Sequence, residues 1–199
     1  TLCQLKNAAI GISSQTPMPA PVGLVSWWSG DGNSLDTRSR NDGTLQNGAT
    51  YTSGKVGQSF DFNGVNQYVQ KPSPVNLPVG NAARTIELWF KTPSDLTSAT
   101  ESALIQYGTT GNGQMFSLIT SLNAPGKLYF FGFGSDLFGT TTLQPNQWYH
   151  GAVTFDGTTL MLYLNGQVEA TTVMSLNTIV DANGLTISRR PDSNAYWTG

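Results

Sequence analysis

WYHGAVTFDGTTLMLYLNG, residues 148–166, reads as two strands joined by a tight turn. Its first run, Trp148–Phe155, is rich in the aromatic and β-branched side chains that suit a pleated, half-buried surface. Asp156-Gly157-Thr158-Thr159 interrupts it, Leu160–Leu164 resumes the apolar pattern, and Asn165-Gly166 turns the chain again. Asp-Gly and Asn-Gly tolerate the positive φ that two-residue hairpin turns require. A hairpin this apolar is not stable alone in water, so it is expected near the middle of a larger sheet.

Working outward, Gly, Asn, Asp and Ser punctuate further short apolar runs. The expected strands are about 24–29, 44–46, 58–62, 67–70, 84–91, 102–107, 114–120, 126–133, 138–141, 148–155, 160–164, 167–172 and 184–188. No segment carries a helical period, although Asp95–Ser102 has room for one short helical turn. Strands at this spacing predict an all-β fold, a two-sheet antiparallel jelly-roll sandwich. No internal repeat is present. Residues 13–22, SSQTPMPAPV, place proline at 17, 19 and 21, which favours extended geometry and removes backbone donors. Residues 1–22 therefore form an extended arm and linker, and 23–199 the folded domain.

Composition narrows the function classes. Charged residues make up 11% of the chain and the formal net charge is -2, with no basic cluster larger than Arg189-Arg190. That provides no electrostatic footprint for nucleic acid. No apolar run reaches the 18 residues of a membrane-spanning helix. Cys3 is the only cysteine, which excludes an internal disulfide and Cys-based metal sites. It is either an intermolecular link or lipid attachment point, or an inert thiol near a frayed terminus. Thr1 is preceded by neither Met nor a leader, consistent with a processed secreted protein or an excised fragment.

Four segments, residues 23–70, TIELWFK (85–91), QWYHGAVTFDGTTLMLYLNGQVEATT (147–172) and LTISRRPDSNAYWTG (185–199), together resemble laminin-G-like jelly-roll domains. These belong to the concanavalin A-like lectin/glucanase group. The resemblance implies a secreted or cell-surface module that binds carbohydrate or protein, often with one structural calcium. Members usually continue past a segment like Tyr196–Gly199 into one more strand and seldom carry an apolar extension such as residues 1–12. A sheet lacking an edge partner exposes unpaired N–H and C=O groups beside an apolar slot. The apolar patch Ala8, Ala9, Ile10, Gly11 and Ile12, on its proline tether, is a candidate to fill that slot in its own molecule or a neighbour. Head-to-tail filling would propagate a filament. Trimming, or a dispensable last strand, is the simpler explanation of the departure.

Catalysis fares poorly. Glycoside hydrolases need two carboxylates about 5–9.5 Å apart, and no strand here carries an acidic i, i+2 pair. Glu87 is the acid read in mid-strand, flanked at i±2 by Thr85 and Trp89. His150, the only histidine, falls inside a central strand without a G-x-S-x-G partner, and is expected to be structural. The loop Ser29–Asp36 is rich in oxygen donors, and the resemblance also suggests calcium there, making Asp31 and Asp36 candidate ligands. The competing reading is turn chemistry, in which Asp and Asn bond their own backbone.

Sugar binding uses exposed aromatic faces beside amides and carboxylates. The loop candidates are Tyr107, Phe138, Tyr196 and Trp197, with Asn112, Gln114, Asp192 and Asn194 near them in sequence. Trp27, Trp89 and Trp148 are expected in the core, with Trp28 facing outward. Arg189-Arg190-Pro191-Asp192 reads either as an anion fork or as a solvated turn with a local ion pair. The expectation is an extracellular, non-catalytic recognition or adhesion module for carbohydrate or a surface protein. A self-associating filament subunit completed by the N-terminal arm is the alternative, and a glycan-cleaving enzyme is disfavoured.

Overall fold

The structure, a computed structural model, describes residues 20–96, 101–121, 126–193 and 195–199. In chain order the strands are β1 (Thr44–Gln46), β2 (Thr50–Ser53), β3 (Gln58–Asp61), β4 (Tyr68–Lys71), β5 (Arg84–Lys91), β6 (Ser102–Gly108), β7 (Met115–Ser121) and β8 (Lys127–Phe131). They continue with β9 (Leu137–Phe138), β10 (Trp148–Phe155), β11 (Thr159–Leu164), β12 (Gln167–Val173), β13 (Leu185–Ile187), β14 (Arg189–Arg190) and β15 (Ala195–Tyr196). The described residues contain no helix. Of the helical turn expected at 95–102, residues 97–100 lie outside the described set, and Ser102 opens β6 instead.

The hairpin that organises the sequence is the central pair of a four-stranded sheet ordered β12-β11-β10-β5. Its turns form as their residues require. Asp156 Oδ1 accepts the amides of Thr158 at 2.8 Å and Thr159 at 2.7 Å, capping the first turn. Asn165 (φ 51°) and Gly166 (φ 78°) supply the left-handed pair of the second. Asn165 also ties itself to His150, whose amide donates to Asn165 Oδ1 at 2.9 Å while the Asn165 amide donates to the His150 carbonyl at 2.7 Å.

The second sheet is seven-stranded, ordered β1-β4-β13-β6-β7-β8-β9, with every pairing antiparallel. Alternation sends Phe116, Leu118, Leu128 and Phe130 inward to meet Val153, Phe155, Leu160 and Leu162 of the smaller sheet, all essentially fully buried. Each such side chain contributes about 1.5–3 kcal/mol by leaving water. Gly151 sits where the sheets approach most closely, since an added Cβ would lie 3.1–3.2 Å from the Leu128, Leu118 and Phe90 side chains. The all-β, two-sheet expectation holds, with ribbons β2–β3 and β14–β15 added to it.

Two expected strands change, and one strand forms where none was expected. Residues 24–29 form no strand, only the isolated bridge Trp28–Asp36, because Asp36 Oδ1 captures the Trp27 amide at 2.9 Å. The expected 138–141 strand stops at Phe138, because the Glu169 carboxylate takes the amides of Thr140 and Thr141, each at 2.7 Å. Thr50–Ser53, read as loop, pairs with Gln58–Asp61. The assembly candidates Ala8, Ala9, Ile10, Gly11 and Ile12 lie outside the described residues.

Candidate functional site

The outer face of the seven-stranded sheet carries two cross-strand rows. One runs Gln70–Thr186–Gln106–Ser117–Phe131 across β4, β13, β6, β7 and β8, and the next Ala103–Ile119–Tyr129–Phe138 across β6 to β9. The second row ends in a stacked pair, with Phe138 4.6 Å from Tyr129 and their planes at 16°. Phe131 meets Tyr129 edge-on at 6.3 Å, and Phe133 meets Phe131 at 5.9 Å. Phe138 is 53% exposed, so one flat ring at the end of this aromatic run is open to solvent.

The β14–β15 ribbon folds back over this face and delivers a charged cluster. Arg190 Nη1 donates to Glu101 Oε2 at 2.6 Å, and Nη2 to Asp192 Oδ2 at 2.7 Å. Its Nε reaches Asp192 Oδ1 at 3.3 Å, completing a fork, and the guanidinium lies 4.3 Å from the Phe131 ring centre. Burial alone would lower the Arg190 pKa, but bonding to Asp192 and Glu101 outweighs it and raises the value. Burial raises the Tyr129 phenol pKa, and the Glu101 charge adds to it. The Tyr129 hydroxyl is buried without a well-formed hydrogen bond. Burial likewise raises Asp136, against amides at Gly132 and Gly134.

Beside this cluster lies a small pocket of about 100 Å³, lined by Gln106, Thr110, Met115, Asn183 and Asp192. Gln106 is 3% exposed, yet its Oε1 has no hydrogen-bond partner among the described residues. A buried acceptor left unpaired costs about 1–3 kcal/mol, so its presence calls for a reason.

The sequence candidates separate on this map. Asp192 lines the pocket, and Phe138 presents the open ring. Asn112 is exposed near the same end of the sheet. Its Oδ1 accepts Ser135 Oγ at 2.7 Å, and Gly113 donates to the Gly132 carbonyl at 2.9 Å, so loops 109–114 and 132–136 are clasped. Gln114 engages through its backbone, accepting from the Ile179 amide at 3.2 Å. Tyr196 is half-buried and packs on Tyr68 at 6.1 Å. Asn194 lies outside the described residues.

Two candidates are corrected. Tyr107 is 3% exposed and donates its hydroxyl to the Pro78 carbonyl at 2.8 Å, because alternation along β6 points it into the core. Trp197 is 4% exposed and packs edge-on to Phe90 at 5.8 Å. Gln106 was not among the candidates. Its signal was available as the lone amide inside the apolar run SALIQYG.

The remaining acids are committed elsewhere. Asp36 Oδ1 accepts the amides of Trp27 and Arg38, both at 2.9 Å, and Oδ2 those of Asn41 at 3.0 Å and Arg40 at 3.3 Å. Burial would raise its pKa, but these amides outweigh burial and lower it. Asp31 Oδ1 accepts the Gln58 amide at 2.8 Å. This donor set fits turn chemistry, in which the lone pairs of Asp36 face backbone N–H groups. Among the described residues no group of three or more His, Cys, Asp or Glu side chains converges to hold a metal. Glu169, a second acid inside a strand, is bound by the amides and hydroxyls of Thr140 and Thr141. His150 faces Glu87 at 3.9 Å and packs on Trp89 at 5.3 Å, a cross-strand contact that gives it a structural role.

A second feature lies on the smaller sheet. Among the described residues, strand β5 pairs with β10. Along its other edge runs a groove of about 770 Å³, bounded opposite by Val22–Gly30 and Gln58–Phe62. Its floor is core: Leu104, Ile105, Leu185, Ile187 and Trp197. Trp27, Trp89 and Trp148, expected in the core, line this groove and are half-buried. Trp28, expected to face outward, packs against the core and donates Nε1 to the Asn41 carbonyl at 2.8 Å.

Several solved structures share this architecture. Domain 4 of AbnA, a GH43 extracellular arabinanase from Geobacillus stearothermophilus solved with arabinotriose, aligns with a TM-score of 0.64 and 18% identity, over 83% of this chain and 82% of that one. The botulinum neurotoxin serotype D ligand-binding domain in complex with N-acetylneuraminic acid aligns at 0.55 and 15%, over 78% of this chain and 44% of its own. A Trypanosoma rangeli sialidase mutant displaying trans-sialidase activity aligns at 0.58 and 18%, over 84% of this chain and 28% of its own. At these identities the likeness establishes the fold alone. No curated protein sequence matches the chain. The family model that does match spans residues 63–199, from the turn before β4 to Gly199, and the chain therefore belongs to the laminin-G-like family of the concanavalin A-like lectin/glucanases superfamily.

Proposed function

We propose that this chain is an extracellular, non-catalytic carbohydrate-recognition module that reads its glycan on the outer face of the seven-stranded sheet. The observation that carries this reading is Gln106, whose buried amide oxygen has no partner among the described residues and which lines a pocket with Asp192, Asn183 and Thr110. A sugar hydroxyl donating to that oxygen would satisfy it, and neighbouring hydroxyls would meet the carboxylate and amide. Sites built on such groups discriminate strongly, because an analogue lacking the hydroxyl leaves the acceptor buried and unpaired. The open Phe138 ring adds an apolar platform for a sugar C–H face. Carbohydrate complexes among the structural neighbours support the ligand class.

The same face argues against hydrolysis. Two of its carboxylates, Glu101 and Asp192, are both bound to Arg190. The guanidinium fills the space a glycosidic oxygen would need between acid and nucleophile.

Binding is tested on a glycan array that includes arabino-oligosaccharides and sialylated glycans, followed by calorimetry on any hit. Gln106→Leu keeps the volume and removes the acceptor. It should lower affinity tenfold or more, since about 1.4 kcal/mol corresponds to a factor of ten. Its thermal stability should hold or rise, because an unpaired buried acceptor is gone. A silent array, unchanged binding in Gln106→Leu, or release of shortened glycan during incubation would each overturn the proposal.

A further inference from the structure

The sequence offers Arg189-Arg190 as an anion fork, and the fold separates its two members. Arg190 turns toward β8 and is taken up by Glu101 and Asp192, at 2.6 and 2.7 Å. Arg189 turns toward β4, where its guanidinium carbon lies 4.8 Å from the centre of the Tyr68 ring. Among the described residues it forms no ion pair, and its side chain donates no hydrogen bond. Its Nε is buried without an acceptor, so the terminal Nη groups are the part of the fork left for a partner.

Arg189 is also held in place. Its carbonyl accepts Thr186 Oγ1 at 2.9 Å, and its strand pairs with β15 through Tyr196. Tyr196 in turn packs on Tyr68 at 6.1 Å and braces the ring that the guanidinium covers. A cation fixed before its ligand arrives loses less entropy on binding than a free surface side chain.

This cation lies within reach of the Gln106 pocket. Val69 points into the core, so alternation puts Tyr68 and Gln70 on the outer face. Gln70, Thr186 and Gln106 are successive cross-strand neighbours. From strand spacing and rise, the Tyr68 and Gln106 backbones are roughly 12 Å apart, the reach of a short oligosaccharide. Gln70 spans the interval, donating Nε2 to the carbonyl of Asn183, which lines the pocket, at 3.1 Å. The pocket itself carries carboxylates, Asp181 and the Arg190-bound Asp192. A negative group on the ligand would be repelled there and drawn to Arg189.

We infer that Arg189 is a carboxylate subsite, and that the glycan read on this face is acidic, with a carboxylated sugar on Arg189 and a neutral neighbour at Gln106. The inference rests on the carbohydrate reading and narrows its ligand class. A planar guanidinium matches the two oxygens of a carboxylate, and such charge-assisted bonds are about twice as strong as neutral ones. A sulfate ester carries the same sign of charge, so it forms a separate arm of the test.

The full chain is assayed on an array in which each carboxylated oligosaccharide stands beside its carboxyl-reduced and its sulfated counterpart, with calorimetry on the matched pairs. The acid should bind roughly tenfold more tightly than its reduced form, and the gap should narrow in high salt. Arg189→Gln should erase that preference while leaving affinity for the reduced form within about twofold. Arg189→Lys should keep only part of it, because an ammonium lacks the fork. Gln106→Leu should weaken both forms alike and preserve their ratio. Equal binding of acid and reduced forms, a preference that survives Arg189→Gln, or a sulfated form bound more tightly than the carboxylate would overturn the inference. In each of those outcomes Gln106-dependent binding leaves the carbohydrate reading standing, whereas silence toward every glycan removes both. If Arg189→Gln does not fold, the reduced ligand on the unmodified protein still decides.

Discussion

The groove beside β5 and the outer face of the seven-stranded sheet both expose rings next to core, yet they are finished differently. On the seven-stranded sheet the chain returns and covers its own surface. Ribbon β14–β15 lays Arg190 across Phe131 and neutralises two carboxylates, leaving a small pocket with one unpaired acceptor. On the smaller sheet β5 pairs with β10, and the groove along its other edge is floored by core side chains. A polar pocket over a closed sheet discriminates small polar groups. An apolar floor leaves sugar hydroxyls nothing to bond. Similar aromatic content therefore supports opposite chemistries, and the difference lies in which groups are left unsatisfied.

That contrast can be broken at three points, beginning with the largest expected effect. Trp197 floors the groove and packs on Phe90, so it belongs to the core and not to a sugar platform. Trp197→Ala should cost about 3–5 kcal/mol in urea unfolding. A loss below about 1 kcal/mol, the size of an ordinary surface substitution, would return Trp197 to the surface.

Arg190→Met comes next. It leaves the Asp192 carboxylate, on an exposed residue whose side chain is only 11% exposed, without its cation, whereas Glu101, with its side chain 40% exposed, regains water. Losing one partner of a fully buried pair costs about 3–5 kcal/mol, and the partial exposure brings the expectation here to about 2–3 kcal/mol. Denaturant midpoints measured with glycan present should also show whether the ribbon positions Asp192 for binding.

The smallest effect is expected at Asp36→Asn, which loosens the Trp27 wall of the groove. Backbone amides hold the folded Asp36 pKa below its ordinary value. Such a carboxylate stabilises the fold above its unfolded pKa of about 3.9, and the benefit is lost as pH falls through the lower folded value. The variant should be about 1–2 kcal/mol less stable at neutral pH. The gap should close on acidification below about pH 4. A gap that persists unchanged at low pH would mean that the carboxylate charge is not what braces the loop.

Much of the fold was legible because its signals are local. Asn165-Gly166 and Asp156 specify their turns through their own backbone preferences and side-chain oxygens, and the strands they join follow from alternation. The failures share one cause. Glu169 ended the 138–141 strand from 28 and 29 residues away, and Asp36 prevented the 24–29 strand from across a loop. Side-chain acceptors competing for backbone amides leave no periodic trace in sequence.

The candidate site was less legible for a related reason. Asp192 and Phe138 were found because polar and aromatic residues in loops are conspicuous. Gln106 was readable as an anomaly in an apolar run, but its lack of a partner was not. Trp197 and Trp89 exchanged places, one taken into the core and the other left lining the groove, although both sit among similar neighbours in sequence. By itself the sequence determined the hairpin, the all-β class and the absence of a paired-acid motif, since each depends on residues within a few positions of one another. The tertiary structure alone decided that Arg190 meets Glu101 across 89 residues, that the buried Gln106 oxygen is unpaired among the described residues, and that a groove over core side chains runs beside β5. Burial and partnership depend on what the rest of the chain places nearby, and no local pattern encodes that.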